Sequence, residues 1–223
     1  MLTCQGVSYR IAERTLLDQV TFRLAPGEAY GVVGAPGAGK TVLLAISCGL
    51  LTPTSGEVLL FDHQLAQLHP ETAARSIGYM RHCIATVPSM TVAETLRFWS
   101  RLGGGRRVAH DRAQEVLERL DLHRFAQQTF ARCPVGVQRA LRLAVALLQR
   151  PALLVLDEPY RGIDAGRVPQ LTEVLRDLRR EGVAVLYATR ELAQAQQVCD
   201  QVAMLQHGRL VPLVQPADEP AAR

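Results

Sequence analysis

Gly34-Ala35-Pro36-Gly37-Ala38-Gly39-Lys40-Thr41 follows the apolar run Ala29-Tyr30-Gly31-Val32-Val33 and leads into Val42-Leu43-Leu44-Ala45-Ile46-Ser47-Cys48. A strand-length apolar run, a glycine-rich turn and a helix-length apolar run, in that order, open a β-loop-α unit. The turn fits G-x-x-x-x-G-K-[ST] without a gap, a pattern whose chemistry is that of a phosphate cradle. Glycines let backbone N–H groups turn inward around phosphate oxygens. The following helix offers its positive end to an anion. Lysine is a compact cation that reaches between β- and γ-phosphates, and the Thr41 hydroxyl can ligate magnesium.

Lys40 stands out for a second reason. Among 25 basic residues it is the one lysine, and the chain has no asparagine. A bias toward GC-rich codons accounts for arginine elsewhere. Its retention at position 40 marks a place where a planar guanidinium does not serve.

A second stretch completes the chemistry. Leu153-Leu154-Val155-Leu156-Asp157-Glu158-Pro159 reads as a buried strand ending in two carboxylates. Asp157, at the strand's exit, can hold Mg²⁺ through water. Glu158 beside a γ-phosphate can polarise an attacking water.

The composition bounds the rest. The chain has 223 residues, 48% hydrophobic and 21% charged, which suits one core with at most a subdomain and excludes disorder. No stretch approaches the ~18 uninterrupted apolar residues of a membrane span. The N-terminus, MLTCQGVSYR, shows no secretory signal. A formal charge of +4 is too weak and too dispersed to argue for nucleic acid, and none is expected as a partner. The five cysteines contain no C-x-x-C pair and read as reduced thiols rather than staples or a zinc site. His63, His69, His110, His123 and His207 have no metal-ligand spacing.

Periodicity predicts an edge strand over residues 2–9 and further strands over 20–24, 29–33 and 57–61. A helix from Thr41 is stopped by Thr52-Pro53. Thr91-Val92-Ala93-Glu94 is a capping box opening a helix through about Arg101, ended by Gly103-Gly104-Gly105. A second helix covers Asp111–Leu120. Val137, Ala140, Leu141, Ala144, Val145 and Leu148 mark one face of a third. Strands follow at 153–156, 183–187, 202–205 and 210–214, with a helix over 168–180. This is a single domain, 1–223. Its core is about 1–81 and 151–215, its all-helical insertion about 82–150, and its tail from 216 is frayed.

With these residues in hand, the sequence resembles the ATP-binding subunit of ABC (ATP-binding cassette) transporters over nearly its whole length. GAPGAGKT looks like that family's Walker A motif, LLVLDEP like Walker B with its adjacent glutamate, and Gly162-Ile163-Asp164 like its D-loop. The resemblance implies a P-loop NTPase core of the ABC type, in the α/β class, with an inserted helical subdomain. It implies that Gly34, Ala35, Pro36, Gly37, Ala38, Gly39, Lys40, Thr41 and Val42 wrap the phosphates of ATP. Thr41 and Asp157 would hold Mg²⁺, with Glu158 and Lys40 serving catalysis. Tyr9 matches the aromatic that stacks on adenine; an ordinary strand tyrosine is the plain alternative. The implied partners are a transmembrane permease subunit and a second ATP-binding subunit, identical or different, at the cytoplasmic face of the membrane. Segments such as TVAETLRFWSRLGG and VCDQVAMLQHGRLV are most similar to exporters.

Three positions depart from the family pattern. The signature, usually L-S-G-G-Q, reads Cys133-Pro134-Val135-Gly136-Val137. Pro134 has neither an N–H nor a hydroxyl to offer a γ-phosphate. The Q-loop glutamine is His82, and the switch histidine is Arg190. Arginine can neutralise a γ-phosphate but cannot shuttle a proton. Two readings stay open: an ATPase that turns over slowly, or a module that binds ATP to assemble or regulate a complex.

Overall fold

Every residue of β3 (Ala29–Val33), β7 (Leu153–Asp157) and β8 (Ala184–Thr189) is buried in the computed structural model, which describes residues 1–81, 87–102, 106–163 and 165–213. Strands this apolar must be covered on both faces. Their alternating side chains divide accordingly. Tyr30, Val32, Leu153, Val155, Leu186 and Ala188 join one hydrophobic cluster, and Ala29, Val33, Leu154, Leu156, Val185 and Tyr187 join the other.

The sheet that holds them has six strands in the order β10-β9-β3-β8-β7-β6, adding β6 (Ile77–Met80), β9 (Gln201–Gln206) and β10 (Arg209–Leu213). All its pairings are parallel except that of β10 with β9. A second, antiparallel sheet of four strands runs β2-β1-β4-β5. It comprises β1 (Leu2–Ile11), β2 (Arg14–Leu24), β4 (Ser55–Leu60) and β5 (His63–Gln64). Helix α1 (Lys40–Ser47) lies between the two. Its Leu43, Leu44 and Ile46 share a cluster with Leu2, Cys4 and Val20 on one side and Val32 and Val155 on the other.

The opposite face of the parallel sheet is covered by α6 (Val168–Arg180) and α7 (Leu192–Val198), through Leu171, Leu175, Leu178, Ala195 and Val198. Between β6 and β7 the described residues include the α-helices α3 (Val92–Arg101), α4 (Arg106–Arg119) and α5 (Val135–Leu147). Their Leu96, Val116, Leu117, Leu141 and Leu143 continue the same cluster. A short α2 (Pro70–Ser76) precedes β6.

The structure corrects several expectations. Residues 2–9 do not form an edge strand; β1 sits inside its sheet, bonded to β2 on one side and β4 on the other. Helix α1 stops at Ser47, well before Thr52-Pro53, because the chain leaves it through Gly49 at φ +71°, a left-handed conformation that glycine adopts at little cost. Helix α4 starts at Arg106 rather than Asp111, and α5 at Val135 rather than Val137. Strands β5 and β6 and helices α2 and α7 were not anticipated. His82, Cys83, Gly103–Gly105, Asp164, and Val214 with the tail after it lie outside the described residues. Among the described residues, no helix is long and apolar enough to cross a membrane, and no cluster of His, Cys, Asp and Glu could hold a metal ion on its own.

The capping box of α3 forms as expected. The Thr91 hydroxyl accepts from the Glu94 amide at 3.1 Å, and Glu94 Oε2 accepts from the Thr91 amide at 2.8 Å. The Thr91 backbone bond, then the hydroxyl bond, holds the Glu94 carboxyl below its ordinary 4.5. A folded-state value below the unfolded one means that this stabilisation is complete above pH 4.5 and fades as pH falls through the lower value. Thr91→Ala should therefore lower the unfolding free energy by about 1 kcal/mol at neutral pH. The deficit of Glu94→Ala should shrink on acidification below pH 4.5, both being read by urea denaturation.

Candidate functional site

The parallel sheet aligns the C-terminal ends of three strands. Val33 of β3 pairs with Thr189 of β8, and Asp157 of β7 pairs with Ala188 of β8. The segments leaving those strands therefore converge at one edge, the usual ligand position in an open α/β sheet. Here they carry the loop 34–39, Glu158 and Arg190.

The loop is shaped by its backbone. The Gly34 amide donates to the Thr189 carbonyl at 3.3 Å, tying the loop's start to β8. Ala38 N–H donates back to the Ala35 carbonyl at 3.2 Å. Gly39, the N-cap of α1, sits at φ +105°, where a Cβ would also lie 2.8 Å from the Leu16 carbonyl oxygen. Both conditions require glycine. The first intrahelical bond runs from Leu43 N–H to Gly39 C=O at 2.9 Å. The first-turn amides of Lys40, Thr41 and Val42 precede that bond, so helix geometry gives them no upstream acceptor and leaves them suited to an anion.

Lys40 is 7% exposed, and its Nζ donates to the carbonyls of Gly34 at 2.5 Å and Ala35 at 3.2 Å. It lies 3.8 Å from Glu158 Oε1. Burial is the largest influence on the ammonium and lowers its pKa; Glu158 opposes this, Arg190 adds to it, and Asp157 opposes it. A buried cation held beside carbonyls and a carboxylate is well suited to a phosphate, which can take over those contacts.

Thr41 and Asp157 also meet. The Thr41 hydroxyl donates to Asp157 Oδ2 at 2.8 Å, and Asp157 is 5% exposed. A hydroxyl and a carboxylate side by side at the mouth of the cradle form an oxygen donor set that fits a hard divalent cation completed by phosphate and water.

Glu158 takes φ +50°, an uncommon conformation for a side-chain-bearing residue, fixed by its amide's bond to the Ala188 carbonyl at 2.9 Å. Its Oε2 accepts from the Thr189 hydroxyl at 3.4 Å, and its Oε1 from Arg190 Nε at 3.2 Å. From α5, buried Arg139 reaches the Glu158 carbonyl with Nη1 at 3.4 Å. The sequence reading missed Arg139 and Thr189. An arginine among the buried apolar positions of α5 was the available signal for the first; nothing local marked the second.

Tyr9 is half-buried on β1, opposite Leu17 of β2. A Cβ on Gly39 would lie 3.2 Å from Leu17 Cδ2, so Tyr9 stands one strand from the loop's end. At the signature position, Pro134 is the N-cap of α5 and contributes no side-chain cap. Val135 is 58% exposed, and its Cγ1 lies 3.1 Å from where a Cβ would sit on Gly162. The helix end that would receive a phosphate thus presents an isopropyl group. The Q-loop residue His82 and the D-loop Asp164 fall outside the described residues.

The ABC transporter family pattern matches residues 17–161. The linearmycin resistance ATP-binding protein of Bacillus subtilis (strain 168) is 28% identical over 95% of this chain and 68% of its own length. The daunorubicin resistance ATP-binding protein of Streptomyces coeruleorubidus is 32% identical over 94% of this chain and 66% of its own. Among solved structures, a dimeric bacterial ABC transporter cassette superposes with a TM-score of 0.84 at 23% identity, covering 94% of this chain and 96% of the other. That likeness confirms the fold: a P-loop NTPase core of the ABC type. The chain belongs to the ABC transporter family, as an ATP-binding subunit of the ATPase-cassette kind.

Proposed function

We propose that this chain powers export by binding Mg-ATP at the edge formed by β3, β7 and β8, with Lys40, Thr41, Asp157 and Glu158 in the roles expected of them. The observation that carries the reading is their convergence: Lys40 lies 3.8 Å from Glu158, and Thr41 bonds Asp157 at 2.8 Å. The loop amides from Gly34 to Val42 cradle the phosphates, and Tyr9 supports the base. Thr41 and Asp157 hold the magnesium ion, which neutralises phosphate charge when bound. Glu158 accepts a proton from water as the water oxygen bonds the γ-phosphorus and the β–γ bridging bond breaks, giving ADP and inorganic phosphate.

The resistance roles in the names of two relatives support export. Membership of the family supports a membrane partner. The chain lies on the cytoplasmic face, held by a transmembrane permease subunit. In the dimer, each nucleotide is completed by the other subunit's signature. Pro134 and Val135 offer neither hydroxyl nor open backbone there, and each lost hydrogen bond to a charged group costs roughly 1.5–3 kcal/mol. A different partner cassette with a hydroxyl-bearing signature would repair the site holding this chain's own Lys40. We therefore favour a heterodimer. The ion pair of Arg190 with Glu158 favours the second reading, a module that binds ATP with little turnover.

Lys40→Ala should weaken ATP binding by about 10- to 100-fold in calorimetry on the assembled complex, the loss of one strong charged contact. Unchanged affinity would overturn the site. With partners present, Glu158→Gln should lower turnover by about 10²- to 10⁴-fold while ATP still binds. Equal rates in the two proteins would leave the ATP-binding module as the surviving function. Purification from native membranes should yield a permease and a second, different cassette; a lone identical copy would overturn the heterodimer.

A further inference from the structure

Away from the nucleotide edge, the helical insertion holds a hollow of about 330 Å³ between α3, α4 and the segment 123–127. Small side chains make it. Ala93 of α3, Ala113 of α4 and Ala126 leave the gap open, and buried Leu117 lines it with them. Backbone bonds fix its walls. The Val92 amide donates to the Gln128 carbonyl at 3.0 Å and the Ala93 amide to the Ala126 carbonyl at 2.9 Å. Those first amides of α3 are therefore satisfied, and any ligand must be held by side chains.

The rim is one-sided in charge. It carries Arg97, His110, Gln114, His123 and Gln127 and, among the described residues, no carboxylate. Arg97 Nε donates to the Ala93 carbonyl at 3.1 Å, which anchors the guanidinium beside the hollow and leaves both Nη groups over. Among the described residues no carboxylate comes within ion-pair distance of Arg97, whereas Arg119 and Arg150 of the same insertion each have one. Glu94, three residues before Arg97, commits its carboxylate to the Thr91 amide and hydroxyl, and Arg97 is the least of the influences on it. The side chains of His110, Gln114 and Gln127 make no hydrogen bond among the described residues. His123 Nδ1 lies 3.4 Å from Asp121 Oδ1, so this ring can add a donor only when its second nitrogen also carries a proton.

We propose that this hollow is a binding site for a phosphate ester. An uncompensated guanidinium with two free Nη groups matches two phosphate oxygens at once. His110, Gln114 and Gln127 supply further donors around the same space, enough for a third oxygen. The volume falls at the lower end of small-molecule sites, roughly 300–1,000 Å³, and the alanine-lined wall suits a short carbon body on the phosphate. A soluble ester and a lipid headgroup present this same chemistry. Bound there, the ester joins α3, α4 and the segment 123–127 through one anion, and it stabilises the insertion by mass action. The site shares no residue with the nucleotide edge and stands whether or not the chain binds ATP.

The test uses the full chain, with glycerol 3-phosphate followed by calorimetry and with phosphatidylglycerol or phosphatidylcholine vesicles followed by co-sedimentation. Glycerol 3-phosphate should bind, and Arg97→Gln should weaken it about tenfold, the loss of one charged hydrogen-bonding group. Arg97 is exposed, so that variant should unfold at the wild-type temperature when no ligand is present. Ala126→Leu, which fills the hollow, should weaken binding as well, and Lys40→Ala should leave it unchanged. Phosphatidylglycerol vesicles that capture the wild-type chain but not Arg97→Gln would support the site with a lipid as its ligand. Binding of the soluble ester without vesicle capture would support it with a ligand from solution. A wild-type chain that ignores both probes would overturn the site. So would binding lost in Lys40→Ala and kept in Arg97→Gln, which would put the phosphate in the loop 34–42. Equal binding of glycerate, a carboxylate without phosphate, would overturn the ligand class.

Discussion

The register of three parallel strands governs this molecule. Parallel pairing puts the ends of β3, β7 and β8 side by side, and Val33↔Thr189 and Asp157↔Ala188 set them level. Lys40, Glu158 and Arg190 then meet within hydrogen-bond or ion-pair distance, as do Thr41 and Asp157. The apolar burial of those strands on both faces is what holds the level. A slip of one residue would exchange Val32 for Val33 between two different hydrophobic clusters and would carry the phosphate loop away from Asp157. Core packing and site geometry are in this sense one constraint.

That constraint explains which parts of the site could be read in advance. The phosphate loop is contiguous, and its chemistry demands particular residue types in a row, so Gly34 through Thr41 declared itself. Asp157 and Glu158 could be read because an unbroken apolar run leaves a strand little choice but burial, and its end is then the site. The pairing of Arg190 with Glu158 could not, because it depends on the spatial order of β7 and β8 and on Glu158's left-handed backbone, and neither leaves a local trace. The same reasoning covers the fold. β1 looked like an edge because its inner partner β4 lies some forty residues later. Helices α2 and α7 bury too little to show a periodic face: α2 has no buried residue, and α7 buries only Ala195 and Val198. Strand β6 is four residues long and is recognised only by its pairing with β7.

The departures from the family pattern fall into an order once placed in the structure. Lys40, Thr41 and Asp157, proposed to grip the nucleotide, keep contacts suited to that task. The positions that correspond to the family's signature and switch are altered. At the start of α5, exposed Val135 places its Cγ1 beside Gly162, at a position where the family signature has a glycine. At the end of β8, a permanent cation replaces a group that could gain or lose a proton. On the proposed reading, the first change bears on what this chain can give to a partner's nucleotide and the second on what it does with its own.

These two alterations act in the same direction. A subunit that offers little to its partner's site has its mechanical contribution confined to the nucleotide in its own Walker motifs. There, on the reading proposed above, the ion pair of Arg190 with Glu158 slows the step that empties the site. Retention of Glu158 matters in that setting, since without it the proposed site has no group to take the water's proton. The arrangement of Lys40 and Arg190 around one oxygen of Glu158 thus supports the proposed cassette that binds ATP and turns it over slowly.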